Sequence, residues 1–273
     1  MVDPGGKGIT QPSRRRYQFR LRSLLLLVTV IGIACSWIAC ERTKSARQRA
    51  AVEALENRGE GYASISYGVD TSPRPYALKV LLGDDIYGKM TDASLNDPSI
   101  RDKDLAHLEV LSGITDLSLG PGITDKGLIH LQHLDKLTIL VLIDTQVTDE
   151  GLKVIRTLSQ LDELYLDNTQ ISDQGLAHIA GLKLRYLSLG GTSITDAGLE
   201  NLGGMAQLQA LDLGGTNITD AGLVQLGKIR SLKEVNVTHT PVTEGGTAAL
   251  LEALPNVILK DRFRPRGNRI LSY

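Results

Sequence analysis

The body of this 273-residue chain has no cysteine, because the only two, Cys35 and Cys40, sit in an uncharged N-terminal run. That excludes a disulfide framework, a cysteine-based metal site and a thiol nucleophile from everything after residue 40. The body also lacks a G-x-x-x-x-G-K-[ST] phosphate loop, the spacing of metal ligands, and a nucleophile paired with a base. No catalytic, cofactor-binding or metal-binding residue is therefore assigned, and an enzyme is not expected. A basic field is missing as well. Residues 50–257 carry fifteen Lys/Arg against twenty-eight Asp/Glu, whereas 1–49 carry ten against two and 258–273 five against one. The near-zero net charge thus hides an acidic body between basic ends, without the electrostatic footprint that binding to nucleic acid requires.

The basic beginning frames a hydrophobic run. SLLLLVTVIGIACSWIAC, Ser23–Cys40, is eighteen residues without a charge, preceded by Arg14, Arg15, Arg16, Arg20 and Arg22 and followed by Arg42, Lys44, Arg47 and Arg49. A helix of that length is roughly 27 Å, enough to span a bilayer if the flanking arginines snorkel. Residues 23–40 read as a transmembrane anchor, with 1–22 cytoplasmic and the remainder exported to the periplasmic or extracytoplasmic side. Ala34-Cys35-Ser36 also fits a cleavage site, which would give a secreted or lipoprotein form. Ser45–Asn57 is rich in helix formers and predicts a helical stalk over 41–61. Tyr62–Val69 alternates and predicts a strand in an N-terminal cap spanning 62–92.

Beyond the cap the chain repeats itself. GGTSITDAGL from Gly190 returns as GGTNITDAGL from Gly214. Aligning on the acid of the T-D pair gives Asp102, Asp125, Asp149, Asp173, Asp196, Asp220 and Glu244, spaced by 23 or 24 residues. That period predicts an α/β solenoid of about seven units over 93–257. In each unit Leu-x-Leu alternates as a strand does, a turn follows, and leucines three apart give a helical face, with the T-D aspartate expected to cap that helix. One unit buries too few aliphatics to fold alone, so the units must stack and share their interior. The threonines Thr145, Thr169, Thr192, Thr216 and Thr240 are expected to bond to the backbone of the adjacent coil. The glycines Gly127, Gly151, Gly175, Gly198 and Gly222 are expected to allow close packing of turns rather than to cradle phosphate. His107, His130 and His178 read as solvent-facing helix positions.

The recurring L-x-x-L-x-L-x-x-T-x-I-T-D-x-G-L, as in LTILVLIDTQVTDEGL from Leu137 and LQALDLGGTNITDAGL from Leu208, resembles the leucine-rich repeat family over about 93–257. Its T-D-x-G-L half is similar to the cysteine-containing and ribonuclease-inhibitor-like subclasses. With the N-terminal anchor, the chain resembles membrane-anchored bacterial leucine-rich repeat proteins. The resemblance implies a right-handed superhelix with short parallel strands on a concave face and helices on the convex face. It also implies a protein-interaction module without a cofactor.

If the strands align, the side chains between their leucines form columns on the concave face. Most are small or polar, but Ile139, Val141 and Ile143 lie one coil from Tyr165 and two from Tyr186. Strands about 4.8 Å apart would gather these five into one patch, rimmed by Asp116, Glu163, Asp167 and Asp212. An apolar centre with a charged rim is the anatomy of a protein-binding surface. A protein partner is therefore expected here, tethered to the membrane through 23–40, and the other reading is a passive structural part of the cell envelope. The tail 258–273, with Arg262, Arg264, Arg266 and Arg269, leaves the repeat as a basic solvated end.

Overall fold

The computed structural model describes residues 14–56, 63–67 and 90–262; within these, only the backbone is described for 14–27, 63–67 and 90. Nine strands form one sheet in strict chain order: β1 (Ala63–Tyr67), β2 (Met90–Leu95), β3 (Asp116–Leu119), β4 (Ile139–Val141), β5 (Glu163–Tyr165), β6 (Tyr186–Ser188), β7 (Ala210–Asp212), β8 (Glu234–Asn236) and β9 (Ile258–Lys260). From β2 to β9 every pair is parallel. β1 alone runs antiparallel to β2. Parallel neighbours need a crossover, and here each crossover is the remainder of the same coil, a short α-helix or 3-10 helix on the opposite side. The result is the α/β solenoid that the 23- to 24-residue period predicts.

The register explains the sequence pattern. Leu117, Leu140, Leu164, Leu187, Leu211 and Val235 are paired in one line across the sheet, each no more than 2% exposed. Behind them Ile123, Val147, Ile171, Ile194, Ile218 and Val242, together with the helix leucines Leu128, Leu152, Leu176, Leu199 and Leu223, fill the same core. Each coil therefore supplies aliphatic side chains from strand, turn and helix, and its neighbours cover them on both sides.

The polar columns act differently from their sequence reading in two respects. The helix caps are the hydroxyl residues before the aspartates: Thr124, Thr148, Ser172 and Thr219 each accept a hydrogen bond from the backbone N–H two residues on. The aspartates instead reach forward into the next coil. Asp125 accepts from the backbone N of Thr148 at 2.8 Å and from its hydroxyl at 2.7 Å. Asp102, Asp149, Asp173, Asp196 and Asp220 do the same with Thr124, Ser172, Thr195, Thr219 and Thr243. A carboxylate has two acceptor oxygens, so it satisfies two donors of a neighbouring turn, which a cap on its own helix would not do. The second correction concerns the buried threonines. Thr145, Thr169, Thr192, Thr216 and Thr240 donate to the carbonyl three residues earlier in their own coil, at 2.5–2.7 Å, and close its turn rather than bridging to the next coil.

The glycine column belongs to the aspartate ladder. A Cβ at Gly127 would lie 2.6 Å from Oδ1 of Asp102, and one at Gly151 2.5 Å from Oδ1 of Asp125. Gly175, Gly198, Gly222 and Gly246 face Asp149, Asp173, Asp196 and Asp220 in the same way. These glycines make room for the carboxylate of the preceding coil. A separate column, Asp144, Asn168, Gly191, Gly215 and His239, takes φ between 55° and 73° where the strand turns away, which glycine and asparagine tolerate best.

One helix, α1 (Arg14–Glu56), contains the whole run expected to cross a membrane and the start of the expected stalk. The described side chains of the uncharged run begin at Val28, leaving thirteen residues to Cys40, about 20 Å of helix. Among the described residues no helix is long and apolar enough to cross a membrane. At its other end α1 meets the solenoid. Ala51, Val52 and Leu55 are buried in the common core, and the Gln48 amide donates to the carbonyl of Val110 at 3.1 Å. The helix end thus covers the aliphatic side chains of the first coil. The tail expected over 258–273 does not leave the repeat at 258, because Ile258–Lys260 join the sheet as β9 and Leu259 is buried; residues from 263 onward lie outside the described residues.

Candidate functional site

The outer face of the sheet, the one expected to be concave, is built by strand positions that point away from the leucine core. Register places Asp92, Asp116, Ile139, Glu163, Tyr186, Ala210, Glu234 and Ile258 in one line. Ser94, Ser118, Val141, Tyr165, Ser188, Asp212, Asn236 and Lys260 form the next. Backbone bonds from Asp144 N to Asp167 O and from Asn168 N to Gly190 O carry the alignment on to Ile143 and Asp167. The eight residues Ile139, Val141, Ile143, Glu163, Tyr165, Asp167, Tyr186 and Asp212 therefore share one surface on β4 to β7 and the turns that follow. Seven of them are half-buried, and only Ile143, at 36%, is open to solvent.

At the centre two rings touch. Tyr165 and Tyr186 sit in adjacent strands and adjacent columns, with centroids 4.7 Å apart and planes at 30°. The Tyr165 hydroxyl donates to Oε2 of Glu163 at 3.0 Å. Burial pushes the pKa of both hydroxyls up, and the carboxylates around them add to it: Glu163 acts on Tyr165, while Asp212, Asp167 and Glu234 raise Tyr186 to about 12. Burial also holds Asp167 above the ordinary carboxylate range, with Asp212 pushing the same way.

The acids are anchored by neutral donors. Oδ1 of Asp167 accepts from the Ser188 hydroxyl at 2.7 Å and from the backbone N of Gly190 at 3.2 Å. Asp212 accepts from Gly214 N and from the Asn236 amide, both at 2.8 Å. Gly190 and Gly214 matter here for their space, since a Cβ at Gly190 would lie 2.6 Å from Oδ1 of Asp167. At the N-terminal end Asp116 and Asp92 stand opposite each other in register, and burial together with the neighbouring Asp92 raises Asp116 to about 6.

Comparison with known proteins bears on the scaffold that carries this face. The Leucine Rich repeat family model matches residues 182–203 and 207–227, which are the coils bearing β6 and β7. Those two coils are leucine-rich repeats. Among solved structures, the solenoid is similar to an internalin (inlF) from Listeria monocytogenes at 23% identity and a TM-score of 0.46, over 57% of this chain and 44% of that one. It is also similar to internalin C2 (inlC2) of the same organism at 23% identity and a TM-score of 0.42, over 62% of this chain and 86% of that one. The chain thus spans less than half the length of the first internalin. No curated protein sequence matches it significantly.

One feature of the face escapes sequence reasoning. The hydrogen bonds that fix Asp167 and Asp212 depend on which neighbour lies one coil on, and no single repeat contains that information. The signal was nonetheless present in the serine and glycine at 188 and 190 and in Asn236, which stand one coil on from those two acids. The histidines took no part in the face. His130 Nδ1 lies 2.8 Å from Oε1 of Glu109 on the convex side. Among the described residues no group of three His, Cys, Asp or Glu side chains converges as a metal site.

Proposed function

We propose that this chain is a membrane-tethered interaction module whose exported solenoid binds a protein partner through Ile139, Val141, Ile143, Glu163, Tyr165, Asp167, Tyr186 and Asp212. One observation carries the reading: the sheet face over β4 to β6 groups three aliphatic side chains with a tilted tyrosine pair in contact, where the rest of the face is small or polar except for Ile258 and Lys260 on β9. An open parallel sheet is ordinarily covered on both faces, so an apolar centre on the uncovered one points to a partner.

Tethering has separate support. Five of the nine exposed large hydrophobic side chains among the described residues, Val28, Val30, Ile31, Ile33 and Trp37, are on α1 within the uncharged run, each more than half exposed. Side chains of this kind avoid water, and a bilayer around 23–40 would cover them. The flanking basic residues favour a cytoplasmic N-terminus and an exported repeat domain.

Cross-linking capture from cells with the full-length chain tests the partner reading. The double variant Val141→Asp/Tyr165→Ala is expected to lose the proteins that the parent captures, and recovery of the same set by both would reject the face. Alkaline carbonate extraction tests the tether, since release of the chain into the soluble fraction would rule it out.

A further inference from the structure

Charge narrows the partner. In the concave columns six carboxylates face out, Asp92, Asp116, Glu163, Asp167, Asp212 and Glu234. The cationic side chain described in these strand columns is Lys260 on β9, and it is already engaged with Glu234. At the tyrosine pair the carboxylates of Asp167 and Asp212 are held by Ser188, Gly190, Gly214 and Asn236. Such donors fix the position of a carboxylate without cancelling its charge. The face therefore combines an aromatic platform, a fixed pair of anions on one side of it and an aliphatic surface on the other. Phosphates and acidic peptides are repelled by this arrangement. A guanidinium suits it, because its plane stacks on a ring while its edge donates to carboxylates.

Resting on the reading of this face as partner-binding, we propose that it binds a basic, extended segment of a partner protein. An arginine of that segment stacks on the Tyr165–Tyr186 pair and donates to Asp167 and Asp212, and neighbouring aliphatic side chains cover Ile139, Val141 and Ile143. An extended segment fits because its alternate side chains recur about every 6.6 Å, close to the spacing between adjacent columns of the face.

The test uses the full-length chain in a zwitterionic detergent and a fluorescent peptide of about twelve residues alternating arginine with valine, with a glutamate–valine peptide as its counterpart. In about 50 mM salt the arginine peptide is expected to bind saturably and the glutamate peptide not to bind, with affinity falling as salt rises. Asp167→Asn/Asp212→Asn keeps an acceptor oxygen for the sheet donors and should weaken binding about ten-fold or more. Tyr165→Ala/Tyr186→Ala should weaken it as well. Glu150→Gln/Glu200→Gln on the convex helices, an equal loss of charge, should leave affinity within about two-fold. Thermal unfolding of each variant verifies that the fold persists. Equal binding of the two peptides, no saturable binding of the arginine peptide, or equal loss from concave and convex variants overturns the proposal. If capture of cellular partners depends on Val141 and Tyr165 but the arginine peptide fails, the partner chemistry is wrong and the face stands. If capture is indifferent to those residues, the face itself fails.

Discussion

Gly151 shows how one side chain depends on another coil. Replacing glycine by alanine inside a helix ordinarily helps by about 1 kcal/mol. Here the new Cβ would strike Oδ1 of Asp125 at 2.5 Å and crowd Leu128 and Val147 at 2.8 Å, so overlap should win over propensity. Gly151→Ala is expected to destabilise by about 1–3 kcal/mol, and Asp125→Ala by about 1.5–3 kcal/mol through loss of two charge-assisted bonds to Thr148. Once Asp125 is gone the tightest of these overlaps is relieved, so the double variant should cost at least about 0.5 kcal/mol less than the two singles together. Denaturant unfolding of the four proteins decides this, and strict additivity would separate the glycine from the ladder. Asp116 gives a pH-dependent case. Its pKa is raised in the fold to about 6, so its contribution favours the fold below the ordinary carboxylate value and is lost as pH rises through about 6. Asp116→Asn removes this loss, and its stability relative to the parent is expected to be greater at pH 7.5 than at pH 4.5 in denaturant titrations. The glycine, threonine and aspartate columns were all legible in the sequence as columns. Their partners were not, because a bond from Asp125 to Thr148 joins residues 23 apart and only the stacking of coils makes them neighbours.

At the scale of the element, legibility followed the strength of the local signal. The strands β3 to β8 are only three or four residues long, yet Leu-x-Leu in register marked β3 to β7, and Val235-x-Val237 continued the pattern in β8. The strand expected within 62–69 is present as β1, although its antiparallel pairing with β2 was not legible in either strand. Which crossovers are α-helical and which contain 3-10 turns was not readable, since both present aliphatic side chains three apart to the core. The end of α1 was legible as a helix and illegible as a lid, because helix propensity carries no address. Leu55 is fully buried there. Leu55→Ala is expected to cost about 2–4 kcal/mol by leaving a cavity against the first coil. Hydrogen exchange should register the loss first at β2 and the Asp102–Val110 turn, while β7 and β8 keep their protection. Uniform loss across all strands would show that the helix end and the solenoid open as one unit.

Across the whole molecule each coil touches its neighbours and little else, so stability is passed along the array rather than gathered in one centre. β9 has a partner on one side, and Ile258 is 57% exposed. Its amides are expected to exchange faster than those of β5, which is flanked on both sides, and equal rates would point to cover over β9. The forward-reaching aspartate has a further consequence for how such an array can grow. A stretch copied from one ladder glycine to the next brings along the acid that reaches out and the hydroxyl and vacant spot that receive the previous one. Duplicating that stretch inserts a complete link, whereas a copy cut a few residues short leaves an acid with no receiver on one side of the seam. The ladder therefore favours duplication in whole coils of 23 or 24 residues, since only these keep every carboxylate matched to a receiver.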